Sequence, residues 1–311
     1  MHQSAERTVI LGDTLPIGVA LVQRLLQLGH PRSELWLQST HVGDGAEWTV
    51  VRHFVQDAKP ERVYFIDPQG CCEQLPSTAP TVPGAPATAS PCEWIDAVAA
   101  AGVPQFMYVA TTPAALPLQR CASYAAQGLD YRSVRTCQPY GPYRPHPLPS
   151  RVGRAARIIE QLLQQFSAAV HQLLDHVVIP AAPDERLELM YLNDLAEALV
   201  FVAELPRAEL ASATPPPGLH IDIGAEDDVC LLELVEVTAH AAGFRGRIAL
   251  EQVAAGPAVA KLDHRPLARL GWRPLIPLDI GLELSAMDFR LRQRISPTSP
   301  TPSAPQNATV R

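Results

Sequence analysis

Val9–Gly18, VILGDTLPIG, sets a short apolar run directly against a glycine turn and the start of an amphipathic pattern. The run ending at Leu11 reads as a strand, and Ile17–Leu28 reads as a helix with Val22, Leu25, Leu26 and Leu28 on its apolar face and Gly29 after it. Strand, glycine turn and helix in that order outline a dinucleotide-binding loop. Its glycines let the backbone approach a pyrophosphate, whose charge rests on the helix N-terminal amides. Gly12 and Gly18 stand six apart, as a G-x-x-G-x-x-G loop requires, but the middle glycine position holds Leu15. A leucine forced to positive φ costs about 1–2 kcal/mol. Pro16 removes an amide donor, and Asp13 adds negative charge beside the anion site. The expectation is therefore a loop with weak or absent NAD(P) binding, in which Asp13 or Thr14 caps the helix and Pro16 occupies its first turn.

Outward from this loop, short β-branched or aromatic runs alternate with helical patterns. Strands are expected at Glu34–Gln38, Arg62–Ile66, Gln105–Ala110 and Tyr131–Arg135. Helices are expected at Ala46–Asp57, Glu93–Ala101 and near Leu118–Gln127, with a proline-rich loop at 67–91. This is the rhythm of an α/β fold with a Rossmann-like, doubly wound parallel sheet. The second half is more mixed. It reads as a helix within Val152–Leu174, a strand at Leu187–Tyr191 and a helix capped by Asn193 and running to Leu205. A strand at Leu219–Ile223, a helix at Leu231–Gly243 and a last helix near Leu278–Arg292 follow. The expected organisation is a nucleotide-binding domain over 1–145 and a smaller mixed α/β C-terminal substrate lobe over 146–295, with segments returning to the core. Residues 296–311, rich in Pro, Ser and Thr, read as a disordered tail.

With 311 residues, 47% of them hydrophobic, the chain can bury a large core. A net charge of −7 with no Lys/Arg-rich run argues against a nucleic-acid or anionic-membrane partner. The N-terminal MHQSAERTVILG lacks a signal-peptide core and no run nears the ~20 apolar residues of a membrane span, so the expected location is cytoplasmic. Cys71, Cys72, Cys92, Cys121, Cys137 and Cys230 form no C-x-x-C pair and have no histidines at zinc spacing, and His171 and His176 do not share a helix face. No metal site is expected, and the thiols read as reduced.

Several further segments carry a family likeness in their order and spacing: KPERVYFI from Lys59, FMYVATT from Phe106, LDYRSVRTCQPYGPY from Leu129, HPLPSRV from His146, LMYLNDLAEALVFVAEL from Leu189, GLHIDIG from Gly218 and LARLGWRPLIPLDIGL from Leu267. Together with the first loop they resemble the extended short-chain dehydrogenases/reductases that act on nucleotide sugars. The resemblance implies a tyrosine acid/base whose pKa is lowered by a lysine four residues later, and a serine that orients the substrate oxygen. The only lysines, Lys59 and Lys261, follow Val55 and Pro257 by four, so no Tyr-x-x-x-Lys is present. Twenty residues separate Ala110 from Tyr131, too few for the family's active-site loop and long helix. By the same resemblance Thr111 and Thr112 stand at the serine positions, Pro113 at a reactive cysteine, Arg151 at a proton-transferring histidine, and Gln38 with Thr40 where NADP-preferring members carry arginines.

Other residues remain as candidates. Tyr124 beside Arg120, Arg132 or Arg135 would recreate a lowered phenol pKa, or else its ring packs and its hydroxyl meets water. The turn QPYGPYRPHP offers Tyr140, Tyr143, Arg144 and His146 for substrate, or is a rigid turn. Arg151, Arg154 and Arg157 recur at helical spacing and would hold a diphosphate or form a solvated face. Asp194 reads as part of a helix N-terminus. Three functional readings follow: a catalytically silent binding or partner protein still holding a nucleotide sugar or related small molecule, an enzyme with relocated groups, and an ordinary NAD(P)-dependent epimerase or reductase. The resemblance also implies dimerisation through helices, one of which carries the missing lysine. The shortened segment puts that homodimer in question and leaves room for a different protein partner or oligomer.

Overall fold

The computed structural model describes residues 7–38, 55–67, 90–111, 115–142, 153–182, 184–216, 218–254 and 261–295. In chain order the elements are β1 (Thr8–Leu11), α1 (Pro16–Gln27), β2 (Leu35–Gln38), β3 (Arg62–Ile66), α2 (Pro91–Ala100), β4 (Gln105–Ala110), α3 (Ala115–Ala126), β5 (Asp130–Thr136) and β6 (Gln138–Tyr140). There follow α4 (Arg154–His171), β7 (His176–Ala181), β8 (Arg186–Leu187), β9 (Leu189–Tyr191), α5 (Leu192–Glu204), α6 (Arg207–Ala213) and β10 (Leu219–Ile223). The described chain ends with β11 (Val229–Cys230), α7 (Leu231–Ala242), β12 (Arg247–Gln252), α8 (Arg265–Arg269) and α9 (Leu278–Ile295).

β1 and β3 are buried at every residue, the requirement for a strand lying between two helical layers. They sit in a six-stranded sheet ordered β10-β5-β4-β3-β1-β2, parallel at every pairing. Ile10, Leu21, Leu25, Val109, Leu195 and Leu199 fill one face, under α1 and α5. Val9, Phe65, Trp94, Tyr108 and Tyr131 fill the other, under α2 and α3. This is the α/β, Rossmann-like parallel arrangement expected from the alternating runs.

A separate core of Leu163, Phe166, Leu234, Phe244, Leu282 and Phe289 joins α4, α7 and α9. Beside it lie the pairs β7–β12, parallel, and β8–β11, antiparallel. The apolar stretch 187–191, read from sequence as one strand, divides at Glu188. Leu187 pairs with Val229, and Leu189 pairs with Gln138 of β6. The division has a physical cause: the Glu188 carboxylate accepts N–H bonds from Ala225 at 2.9 Å and Leu262 at 3.0 Å, turning the chain between two sheets.

The starts of α2 and α5 differ from expectation. α2 begins two residues earlier than read, at Pro91, because Ser90 and Glu93 form a reciprocal capping box. α5 starts at Leu192 after Tyr191, without a side-chain cap. Asp194 is 3% exposed and its carboxylate instead accepts the amides of Leu275 at 3.1 Å and Ile276 at 2.8 Å, tying the segment before α9 to the sheet domain. Among the described residues no helix is long and apolar enough to cross a membrane, and no group of three or more His, Cys, Asp or Glu side chains is placed to hold a metal. Most of the expected Ala46–Asp57 helix, the proline-rich loop, and Cys71 and Cys72 lie outside the described residues; 55–58 are helical.

Candidate active site

The strand order reverses between β1 and β3, because the chain leaves β1 for β2 on one side and returns to β3 on the other. A crevice at the carboxyl ends of such strands is where α/β sheets take ligands. Gly12 closes β1 there at φ +92, and a Cβ on it would lie 2.7 Å from the Ile66 carbonyl at the end of β3. Gly18, in the first turns of α1, leaves no more room: a Cβ would stand 2.1 Å from the Gly12 carbonyl oxygen and 2.8 Å from the Asp13 Cα. Both glycines are therefore demanded by the close approach of turn, helix and strand.

Leu15 corrects the sequence expectation. It is the α1 N-cap residue at φ −72 and ψ 149, ordinary extended backbone, so no positive-φ cost arises. Its side chain is 9% exposed and joins the core beneath α1. Neither Asp13 nor Thr14 caps the helix, which begins with Pro16 and has no side-chain cap bond. Proline at this position gives up only an amide that the helix would leave unbonded in any case. Gly12 and Gly18 thus let the turn, the α1 N-terminus and the end of β3 pack closely together. Gln38 ends β2, one strand away from this loop.

Further along the same sheet edge, Thr111 follows β4. It lines a pocket of about 70 Å³ with Thr136, Cys137, Glu188 and Lys261. Burial pushes the Glu188 carboxyl up, against the two amides that favour its charge. Burial also raises the Cys137 thiol, leaving it a poor nucleophile. Lys261 Nζ donates to the Glu226 carbonyl at 2.9 Å.

Tyr124 lies on α3, and its hydroxyl donates to Asp96 at 2.9 Å. Burial and the Asp96 carboxylate raise its pKa, with Arg120 only partly opposing. That is the reverse of the lowered phenol it was a candidate for. Arg132 and Arg135 take no part: Arg132 holds Asp130 and the carbonyls ending α5, and Arg135 pairs with Asp222 at 2.6 Å. Tyr140 is 2% exposed, set edge-on to Tyr191 with ring centres 5.6 Å apart, and burial raises its pKa.

Arg154 does not form a solvated face. At the start of α4 it pairs with Glu185 and lines a cavity of about 430 Å³ together with Ile158, Gln161, Ile179 and Val253. Thr112, Pro113, Tyr143, Arg144, His146 and Arg151 lie outside the described residues.

One cluster escaped the sequence reading. On the α3 face of the sheet, Ser133 Oγ lies 3.1 Å from His220 Nδ1, and His220 Nε2 lies 3.1 Å from Asp222 Oδ1. Asp222 only accepts, so the neutral ring carries its proton on Nε2 and takes the Ser133 O–H on Nδ1. Burial opposes the Asp222 charge, but bonds from His220 and Arg135 outweigh it and hold the carboxyl below its usual range. The pairing of β5 with β10 sets Ser133 beside His220 and Arg135 beside Asp222. The period-two alternation of His220 and Asp222 in LHIDI was the available signal, while DYRSVRT carries none.

Residues 116–214 match the NAD dependent epimerase/dehydratase family. GDP-L-fucose synthase of Escherichia coli K12 is 33% identical over 168 residues, covering 53% of this chain and 50% of that protein. Among solved structures, a GDP-D-glycero-L-gluco-heptose synthase of Campylobacter jejuni, crystallised in the presence of NADPH, superposes with a TM-score of 0.69 at 17% identity, covering 94% of this chain and all of its own. UDP-glucose 4-epimerase of Thermus thermophilus, in complex with NAD, gives 0.65 at 17% identity over 91% of this chain and 99% of its own. In sequence over part of its length, and in fold over most of it, the chain is similar to proteins of the NAD dependent epimerase/dehydratase family. It spans about half the length of the curated relatives it matches. The expectation of absent or weak NAD(P) is overturned: structures of similar fold were solved with NADPH and NAD, and of its three grounds the leucine strain and the lost Pro16 amide do not hold.

Proposed function

We propose that the chain binds NAD(P) at the β1–α1 loop and a nucleotide sugar in the α4–β7 cavity, and serves as a binding or partner protein without the family's Tyr-Lys proton relay. Gly12, Gly18 and the α1 N-terminus hold the diphosphate, and Arg154, held by Glu185, faces the sugar nucleotide. Bound NAD(P) supplies a hydride acceptor or donor to a protein of this class. What its sequence lacks is the Tyr-x-x-x-Lys pair that moves the accompanying proton in the family it resembles. The observation carrying this reading is the lysine census: Lys59 and Lys261 follow Val55 and Pro257 by four, and Tyr124, a substitute candidate on the helix after β4, donates to Asp96 and has its pKa raised rather than lowered.

The test is thermal unfolding with NADPH, NADH, GDP-sugars and UDP-sugars, beside an assay of NADPH oxidation. NADPH at a hundred times its Kd stabilises by about 2.7 kcal/mol, a rise of roughly 5 °C for a protein of this size. The expected result is that shift without turnover, and a further shift with a sugar nucleotide that Arg154→Ala removes. Turnover at family-like rates contradicts the reading.

A second reading, an enzyme with relocated proton-transfer groups, is favoured by the Ser133–His220–Asp222 chain. His220 is 33% exposed at its side chain while Asp222 fixes its tautomer. If turnover is found, His220→Gln lowers kcat by about 100-fold or more, the scale of general acid–base catalysis. A kcat unchanged by that substitution rejects this second reading.

A further inference from the structure

The pairing of β6 with β9 sets Tyr140 opposite Tyr191, and both line a cavity of about 640 Å³. Tyr140 is 2% exposed, and its hydroxyl has no hydrogen-bond partner among the described residues. A buried polar group in that state needs something to bond it. Gly281 makes room for it, since a Cβ there would stand 2.2 Å from the hydroxyl oxygen. The hydroxyl therefore ends at the first turn of α9, where Leu278 lines the same cavity.

Four carboxylates border this cavity: Glu226, Asp227 and Asp228 ahead of β11, and Glu233 in the first turn of α7. Arg273 pairs with Glu226, and Arg186 pairs with Asp228 at 2.7 Å. Asp227 and Glu233 have no ion pair among the described residues, so the cavity holds an excess of negative charge. Burial is the main cause that pushes the Tyr140 phenol up, and Asp194 and Asp279 add to it, so their field reaches the hydroxyl as well. A cation placed there is favoured at both ends of the cavity.

The form of that cation follows from the lining. A divalent metal needs several oxygens gathered round one point. Among the described residues no three His, Cys, Asp or Glu side chains are so placed. Between the charged rim and Tyr140 the wall is apolar, with Leu189, Ile276 and Pro277. Separated acceptors joined by apolar wall suit two ammonium groups joined by methylenes.

We propose that this cavity binds a linear aliphatic diammonium ion, with one ammonium at Asp227 and Glu233 and the other donating to the Tyr140 hydroxyl. The cavity shares no lining residue with the α4–β7 cavity and lies apart from the β1–α1 loop, so the inference stands whatever those two sites hold.

The experiment is calorimetric titration of the full chain with 1,4-diaminobutane, butylamine and Mg²⁺ at about 100 mM NaCl, where diffuse surface attraction is screened. The expected result is one saturable diamine site per chain, filled at least about 10-fold more weakly by butylamine and not emptied by Mg²⁺. Asp227→Asn combined with Glu233→Gln raises the diamine Kd by at least about 10-fold. Tyr140→Phe raises it by about 10-fold, the scale of one bond to a charged group, while the thermal midpoint stays level or rises because an unbonded hydroxyl has been removed. A tyrosine with only a packing role gives an unchanged Kd. Asp227 and Glu233 are exposed, so the charge variant tests the site even where the Tyr140 variant loses stability. Absence of saturable diamine binding overturns the proposal. So does displacement of the diamine by equimolar Mg²⁺, or a Kd unchanged in the charge variant.

Discussion

An Arg132→Met variant unfolds with about 3–5 kcal/mol less free energy than the parent chain, the scale of breaking a buried, fully bonded charge. Arg132 is 1% exposed at the amino end of the central sheet. Its guanidinium holds the Asp130 carboxylate through two bonds of 2.7 Å. The remaining donors reach the carbonyls of Val202, Ala203 at 3.1 Å and Leu205 at 2.8 Å, which close the last turn of α5. A cation there satisfies carbonyls that have no partner inside the helix and meets the negative end of the helix dipole. Methionine fills much of the volume but bonds to none of these oxygens, and charge-assisted bonds contribute about 1.5–3 kcal/mol each before the lost packing is regained. Gln105 donates to Ala203 O at 2.9 Å and to Asp130 at 3.0 Å, so part of the network survives and keeps the loss within that range. Guanidinium-chloride unfolding is the measurement: the midpoint falls while the slope stays constant. Arg186→Met, which breaks an exposed pair with Asp228, leaves the midpoint unchanged. Equal midpoints for the Arg132 variant and the parent chain contradict this account of α5.

Arg132 also marks where sequence reading stops. β1, β3 and β4 were legible because a strand covered by helices on both faces is apolar at nearly every residue, whatever its neighbours. The role of Arg132 depends on carbonyls some seventy positions away, and no local pattern announces it. His220 and Ser133 are 87 residues apart and meet only because β5 and β10 pair. β7 and β12 were missed for a different reason. HVVIPA carries Pro180 within a continuous apolar run and RIALEQ puts apolar Ala249 on the exposed face, so neither sequence alternates polar and apolar residues although the burial of both strands does alternate. At the first loop the residues were read correctly and their backbone was not: strain was assigned to Leu15, whereas the left-handed residue is Gly12. Ser90-x-x-Glu93, by contrast, was a legible capping box that went unread.

Gly18→Ala is expected to raise the NADPH Kd by at least about 10-fold while the protein remains folded, a cost of roughly 1.4 kcal/mol at the loop. The added methyl group would stand 2.1 Å from the Gly12 carbonyl oxygen, which is backbone and cannot rotate aside. Relief requires α1 to move away from the turn, and overpacking of this kind costs about 1–3 kcal/mol. Residues further along α1 anchor it through Leu21 and Leu25, both fully buried, so the displacement concentrates in the turn that the proposed diphosphate contacts. Leu15→Gly tests the same geometry from the other side. Leu15 already has extended backbone and an inward side chain, so glycine there removes core packing, and the midpoint of unfolding falls without any gain in NADPH affinity. Calorimetric titration of both variants, with far-UV circular dichroism as the folding control, separates the two effects. A tighter NADPH complex in Leu15→Gly would show that the leucine obstructs the site after all, and unchanged affinity in Gly18→Ala would place the cofactor away from this loop.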